Sequence, residues 1–174
     1  MVLPSCLIAV DIQTGFINPA TALIPSAVRE FCEQNPIEHR IFTRFVNPGA
    51  DGPFMKILGW SRFQEECETT LHPEVNSLPT LVLDKFTYSP FVDTKLEDTL
   101  LTLDVKDVLV FGIDTDVCVF TTAIDLFDRG FHPLVVTNLS MSHAGRQYHD
   151  AAIKILPRYI GADNVVTTAD LECR

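Results

Sequence analysis

Short, unbroken apolar runs rich in β-branched residues recur along this chain with helical patterns between them, and that alternation limits the fold more than any other feature. The runs cover residues 6–10, 40–45, 80–83, 107–111, 133–137 and 164–167. A strand buried on both faces reads as a continuous apolar run, and strands separated by helices pair in parallel. The pattern predicts an α/β fold: a single-domain, Rossmann-like three-layer αβα arrangement of residues 1–174 around a six-stranded, mainly parallel sheet. Helices are predicted over 19–34, 94–103, 117–129 and 146–156, with a shorter one near 59–67. Gly130 marks one helix end, Pro157 and Gly161 another. Residues 47–58 and 86–91 read as loops after strand ends, where open parallel sheets place their ligands.

Length and charge narrow the partners. A chain of 174 residues with 47% hydrophobic content can bury one core. Its net charge of −10, with 13 Lys+Arg against 23 Asp+Glu, and its lack of a basic run argue against a nucleic-acid or anionic-membrane surface. Small molecules or proteins are the expected partners. The opening MVLPSCLIAV is apolar, but it has no basic stretch and Asp11 interrupts it, so it reads as the first buried strand of a cytoplasmic protein. The cysteines, Cys6, Cys32, Cys67, Cys118 and Cys173, show no metal-finger spacing and are odd in number, so reduced thiols are expected. Cys6 reads as core, Cys32 and Cys67 as helical, and Cys173 as tail.

Three polar residues stand where strands end. Asp11 closes LIAVD, Lys85 closes LVLDK, and Cys118 follows VLVFG and the turn Ile-Asp-Thr-Asp-Val. In a parallel sheet all strand C-termini share one edge, so these three can converge from distant parts of the chain. Cys118 falls where a helix begins; the helix dipole and unpaired N–H groups there favour a thiolate and can hold an oxyanion beside it. Each residue also has a plain structural reading: Asp11 as a turn cap, Lys85 as a solvated side chain, Cys118 as core filler.

The segments AVDIQTGFINP, DKFTYSPF and GIDTDVCVFTTAIDLFDRG together resemble the signature regions of the isochorismatase-like cysteine hydrolase family, which includes nicotinamidases and N-carbamoylsarcosine amidases. The resemblance covers almost the whole chain, including the tail strand VVTTADL. It implies one isochorismatase-like hydrolase domain over 1–174 and a catalytic triad of Asp11, Lys85 and Cys118. It also implies a cis peptide between Ile113 and Asp114, and an oxyanion hole made by the backbone N–H groups of Asp114 and Cys118. The implied reaction is hydrolysis of a small amide-type C–N bond through a thioester on Cys118, without a cofactor, in a dimer or tetramer.

Departures from the family bear on substrate and metal. Nicotinamidases carry an Asp-x-His pair and another His after the second strand to hold a metal; here that region reads TRFVNPGADGPF, with Arg44 and Asn47 and no His, and His72 stands alone. No metal site is expected. Asn138 occupies a place where relatives often have an acidic residue. Phe16, Arg44, Tyr88 and Phe91 are the expected substrate contacts, Arg44 through a bidentate grip on a carboxylate. With Phe45, Phe54 and Trp60 the aromatics would line an apolar pocket for a small planar molecule. His143 is an alternative base in a papain-like arrangement, ranked below Asp11; His149 fits the rhythm of a surface helix. Two other classes compete: a non-catalytic small-molecule-binding or assembly protein with the same fold, against which the intact trio argues, and a thiol redox protein, which would need a resolving Cys near Cys118.

Overall fold

The computed structural model describes residues 3–172; the tail residue Cys173 lies outside them. Six strands, β1 (Cys6–Val10), β2 (His39–Phe45), β3 (Leu81–Lys85), β4 (Asp107–Gly112), β5 (His132–Ser140) and β6 (Val165–Val166), form one sheet in the order β3-β2-β1-β4-β5-β6. Every neighbouring pair is parallel. The chain therefore leaves β1 in one direction along the sheet and starts β4 on its other side. This reversal opens a crevice at the C-terminal ends of β1 and β4, the usual ligand position in such sheets.

Alternation along the strands explains why both faces are covered. Leu7, Ala9, Phe42, Leu109 and Phe111 point to one side and pack with Val28, Phe31 and Cys32 of helix α1 (Ile24–Gln34). Cys6, Ile8, Val10, Val108 and Val110 point to the other, against Leu96 and Leu100 of α4 (Leu96–Thr102) and Ala123 and Leu126 of α5 (Phe120–Asp128). Two short helices, α2 (Pro53–Leu58) and α3 (Glu66–Thr69), lie between β2 and β3, and α6 (Arg146–Ile155), α7 (Pro157–Ile160) and α8 (Thr168–Glu172) complete the chain. Among the described residues no helix is long and apolar enough to cross a membrane.

Several boundaries differ from expectation. Residues 47–58 are not all loop: Pro53 opens α2, where its fixed φ suits the first helical position, and Gly59 closes it in the left-handed region. The short helix expected near 59–67 is displaced to α3. Helix α1 begins at Ile24 rather than 19, because the Asn18 side chain accepts the N–H groups of Ala20 and Thr21 and holds the chain in a turn. His149, expected on the surface of α6, is 6% exposed. It lies three residues before Ala152 on the helix face turned to the core.

Candidate active site

The three strand-end residues meet. Asp11 and Lys85 are both fully buried, with Lys85 Nζ 2.8 Å from Asp11 Oδ2 and 3.4 Å from Cys118 Sγ. Lys85 also donates to the carbonyls of Thr87 and Tyr88 and lies 5.3 Å from the centre of the Phe45 ring. Asp11 Oδ1 accepts the Thr43 hydroxyl at 2.6 Å. Among the described residues Asp11 Oδ2 has no hydrogen-bond partner beyond its ion pair with Lys85, which leaves a lone pair for a proton from Cys118.

Cys118 is carried by a single π-helical turn, Thr115–Val119, that runs into α5. Gly112, at the end of β4 with φ +128, makes the approach to this turn possible. A Cβ there would stand 2.2 Å from the Val10 carbonyl oxygen. The Ile113–Asp114 peptide is cis. The Asp114 carbonyl accepts the N–H groups of Val117 and Val119, while among the described residues no backbone carbonyl accepts the Asp114 N–H.

The resting state of the thiol differs from expectation. Burial is the main cause that pushes the Cys118 pKa above its ordinary value; Lys85 pulls it down, and the negative charges of Asp11 and Asp114 add to the rise. The fold therefore disfavours the free thiolate, where the position of Cys118 at a helix start had pointed the other way. Lys85 is itself held above its ordinary value: burial lowers it, but Asp11 and Cys118 outweigh that. The ultraviolet absorbance of a thiolate, measured as wild type minus Cys118→Ser, is expected to be absent at the pH where an exposed thiol is half ionised. A thiolate signal at neutral pH would contradict this.

A cavity of about 320 Å³ opens onto Cys118 and Asp114, walled by Phe16, Phe45, Phe54, Trp60 and Tyr88, with Leu58, Val117 and His143. Its aromatic wall was legible from the strand-end loops, but two of the expected substrate contacts, Phe91 and Arg44, lie outside it. Arg44 is directly opposite Asp84 on the neighbouring strand and grips it bidentately at 2.6 and 2.8 Å on the surface. Phe91 turns into the core beside α4 and α5, with the Arg129 guanidinium 4.5 Å above its ring. Phe16 and Tyr88 do reach the cavity. A larger hollow of about 460 Å³ between α1, β5 and α8 is more polar and lies apart from these residues.

Several supporting contacts escaped sequence reasoning. Gln13, buried in the first motif, ties the end of β1 to Phe45 and Thr69. Thr43 orients Asp11. Asp114 takes two hydrogen bonds from His143, whose pKa is raised chiefly by that partner. Thr115 Oγ1 meets His149 Nδ1 at 2.8 Å in a buried contact, and burial lowers the His149 pKa and keeps the ring neutral. A polar residue on the apolar face of a helical pattern was the available signal for His149. Thr115→Val would leave that imidazole without its partner and is expected to cost about 1–3 kcal/mol in denaturant unfolding. A change below a few tenths would mean that the contact contributes nothing.

Among the described residues no group of three or more His, Cys, Asp or Glu side chains is placed to hold a metal ion.

The isochorismatase domain family model matches residues 5–170. Nicotinamidase 3 from Arabidopsis thaliana is 33% identical over 75 residues, 43% of this chain, and the matched stretch spans only 37% of that relative. The fold is similar to that of an isochorismatase-like hydrolase from Alkaliphilus metalliredigens, with a TM-score of 0.83 at 18% identity over 97% of this chain and 96% of the other. It is also similar to N-carbamoylsarcosine amidase from Thermoplasma acidophilum, with a TM-score of 0.78 at 23% identity over 95% and 96%. At these identities the structural likeness is one of fold.

Proposed function

The chain belongs to the isochorismatase family, and from that premise we propose that residues 1–174 form one hydrolase domain that cleaves the carbon–nitrogen bond of a small amide, with Cys118 as nucleophile, Asp11 as proton carrier and Lys85 as charge partner. The observation that carries this reading is the fully buried contact chain from Asp11 through Lys85 to the Cys118 thiol, opening on one side into an aromatic cavity. A buried ion pair is seldom retained for stability alone, and perturbed titratable groups lining a cavity mark candidate reaction centres.

The chemistry follows from the positions. Cys118 passes its proton to Asp11 as its sulfur attacks the amide carbonyl, so the thiolate exists only as the C–S bond forms. The carbonyl oxygen takes up the electron pair and is held by the backbone N–H groups of Asp114 and Cys118. Collapse breaks the C–N bond, and Asp11 returns the proton to the departing amine. Water, deprotonated by Asp11, then attacks the thioester, releasing the acid and the Cys118 thiol. Lys85 keeps a positive charge beside both partners throughout.

Phe16 and Tyr88 contact the substrate through their rings, and the cavity volume limits it to a compact molecule. These groups supply nucleophile, base and oxyanion donors without a metal. Ammonia release from a panel of small primary amides is expected for at least one compact member and is expected to be unchanged by a chelator. No release from any member, or loss of turnover on chelation that added metal restores, would count against the reading. Assembly as a dimer or tetramer belongs to the same proposal; the apolar Leu81 and Val82 exposed on edge strand β3 support it.

A further inference from the structure

One group at the cavity takes no part in the proton path above. Asp114 is 5% exposed, and both oxygens of its carboxylate are engaged by a single residue: Oδ1 accepts the His143 backbone N–H at 2.6 Å, and Oδ2 faces His143 Nδ1. His143 is held in turn, since Asn18 Nδ2 donates to its carbonyl at 2.7 Å and its ring lies 5.5 Å from that of Phe16. We infer that His143 is a positioning residue for the oxyanion hole: by clamping the Asp114 side chain it fixes the backbone N–H of that same residue where the substrate oxygen gains charge. The inference rests on the amide-hydrolase reading above.

Unpaired charge couples the clamp to the oxyanion hole. Loss of the His143 ring leaves the backbone N–H on Oδ1 but strips Oδ2 of its partner, and a half-unpaired buried carboxylate turns toward water or another partner because unpaired charge is costly inside the protein. The carboxylate and the N–H hang on one Cα, and the backbone N–H of the next residue, Thr115, reaches the Met141 carbonyl through a long 3.3 Å bond, while its side chain meets His149. Movement of the carboxylate is thereby passed to the donor. The charged groups facing the His143 ring are Asp114 and Asp116 from the turn and Arg62 from the connection between α2 and α3. The two carboxylates favour the imidazolium, which strengthens the clamp. A neutral imidazole can still donate from Nδ1, so the test replaces the ring rather than titrating it.

Asparagine places its amide nitrogen where histidine has Nδ1, so His143→Asn retains the donor and His143→Ala removes it. Two probes separate the oxyanion hole from the nucleophile. Iodoacetamide alkylates the sulfur by displacing iodide and forms no oxyanion. Benzaldehyde, a compact planar carbonyl, takes the sulfur onto its carbonyl carbon; the oxygen gains the electron pair and needs the hole, and the thiol proton goes to Asp11. The readout is the rate of Cys118 alkylation, by intact mass, with and without benzaldehyde.

In His143→Ala the benzaldehyde concentration that half-protects Cys118 is expected to rise about tenfold to a hundredfold, while unprotected alkylation changes by less than about twofold; His143→Asn is expected within about threefold of wild type. Unchanged protection in His143→Ala, equal loss of protection and alkylation, or a His143→Asn as weak as His143→Ala would each overturn the inference. So would wild-type Cys118 that alkylates but gains no protection from benzaldehyde. Wild type that releases no ammonia from any amide of the panel would instead remove the amide-hydrolase reading itself.

Discussion

Replacing Cys118 with alanine is expected to lower kcat for amide hydrolysis by roughly 10⁴-fold or more, because nucleophile, base and charge partner act as a unit and loss of the nucleophile leaves only binding and oxyanion donors. The fold should survive. The substitution removes one sulfur from a buried position, and the cost of such a truncation is about 1–2 kcal/mol. Rate and thermal midpoint measured on the same preparation separate chemistry from collapse. Turnover within about tenfold of wild type would mean that another group attacks the substrate.

The second large effect concerns stability. Lys85→Met would leave the Asp11 carboxylate buried without its cation, and breaking a buried pair from one side typically costs about 3–5 kcal/mol. Adding Asp11→Asn to the same chain removes the stranded charge and is expected to recover at least half of that loss, whereas independent sites would add their costs. The contrast with Arg44 and Asp84 is instructive. That pair has better geometry on paper, bidentate at 2.6 and 2.8 Å, but both side chains are more than a third exposed. Its loss should cost no more than about 1 kcal/mol. The Lys85 contribution also has a pH sign. Because its pKa is raised on folding, the stabilisation is present below the unfolded-state value and fades as pH climbs through the folded one. Alkaline pH should therefore destabilise wild type more than the double variant, as read by denaturant melts across pH.

Much of the fold was legible because parallel strands bury both faces and so announce themselves as apolar runs; β1, β2 and β4 were read to within about a residue or two of their observed ends. Convergence of Asp11, Lys85 and Cys118 was also legible, since it follows from the shared C-terminal edge of a parallel sheet. Other features were not. Helix α2 hid in a Pro-Gly-rich stretch because the same residues that break a helix also start and stop one. The outward turn of Arg44 depends on its register against Asp84, a partner forty residues away. The state of the Cys118 thiol depends on how much water the fold removes, and no local pattern carries that quantity. The clamps from His143 and His149 escaped for a related reason: each joins the β5–α6 region to the turn after β4 through a long-range contact.

Hydrolysis by this route passes through a thioester on Cys118. An active amide identified from the panel would be mixed with the protein, quenched in acid within the first turnover, and the protein analysed by intact and peptide mass. The predicted result is an acyl group, the amide less its amine, on the peptide carrying Cys118, present in wild type and absent in Cys118→Ser. Steady hydrolysis of the amide with no adduct on Cys118 in wild type, and with turnover retained by Cys118→Ser, would contradict it.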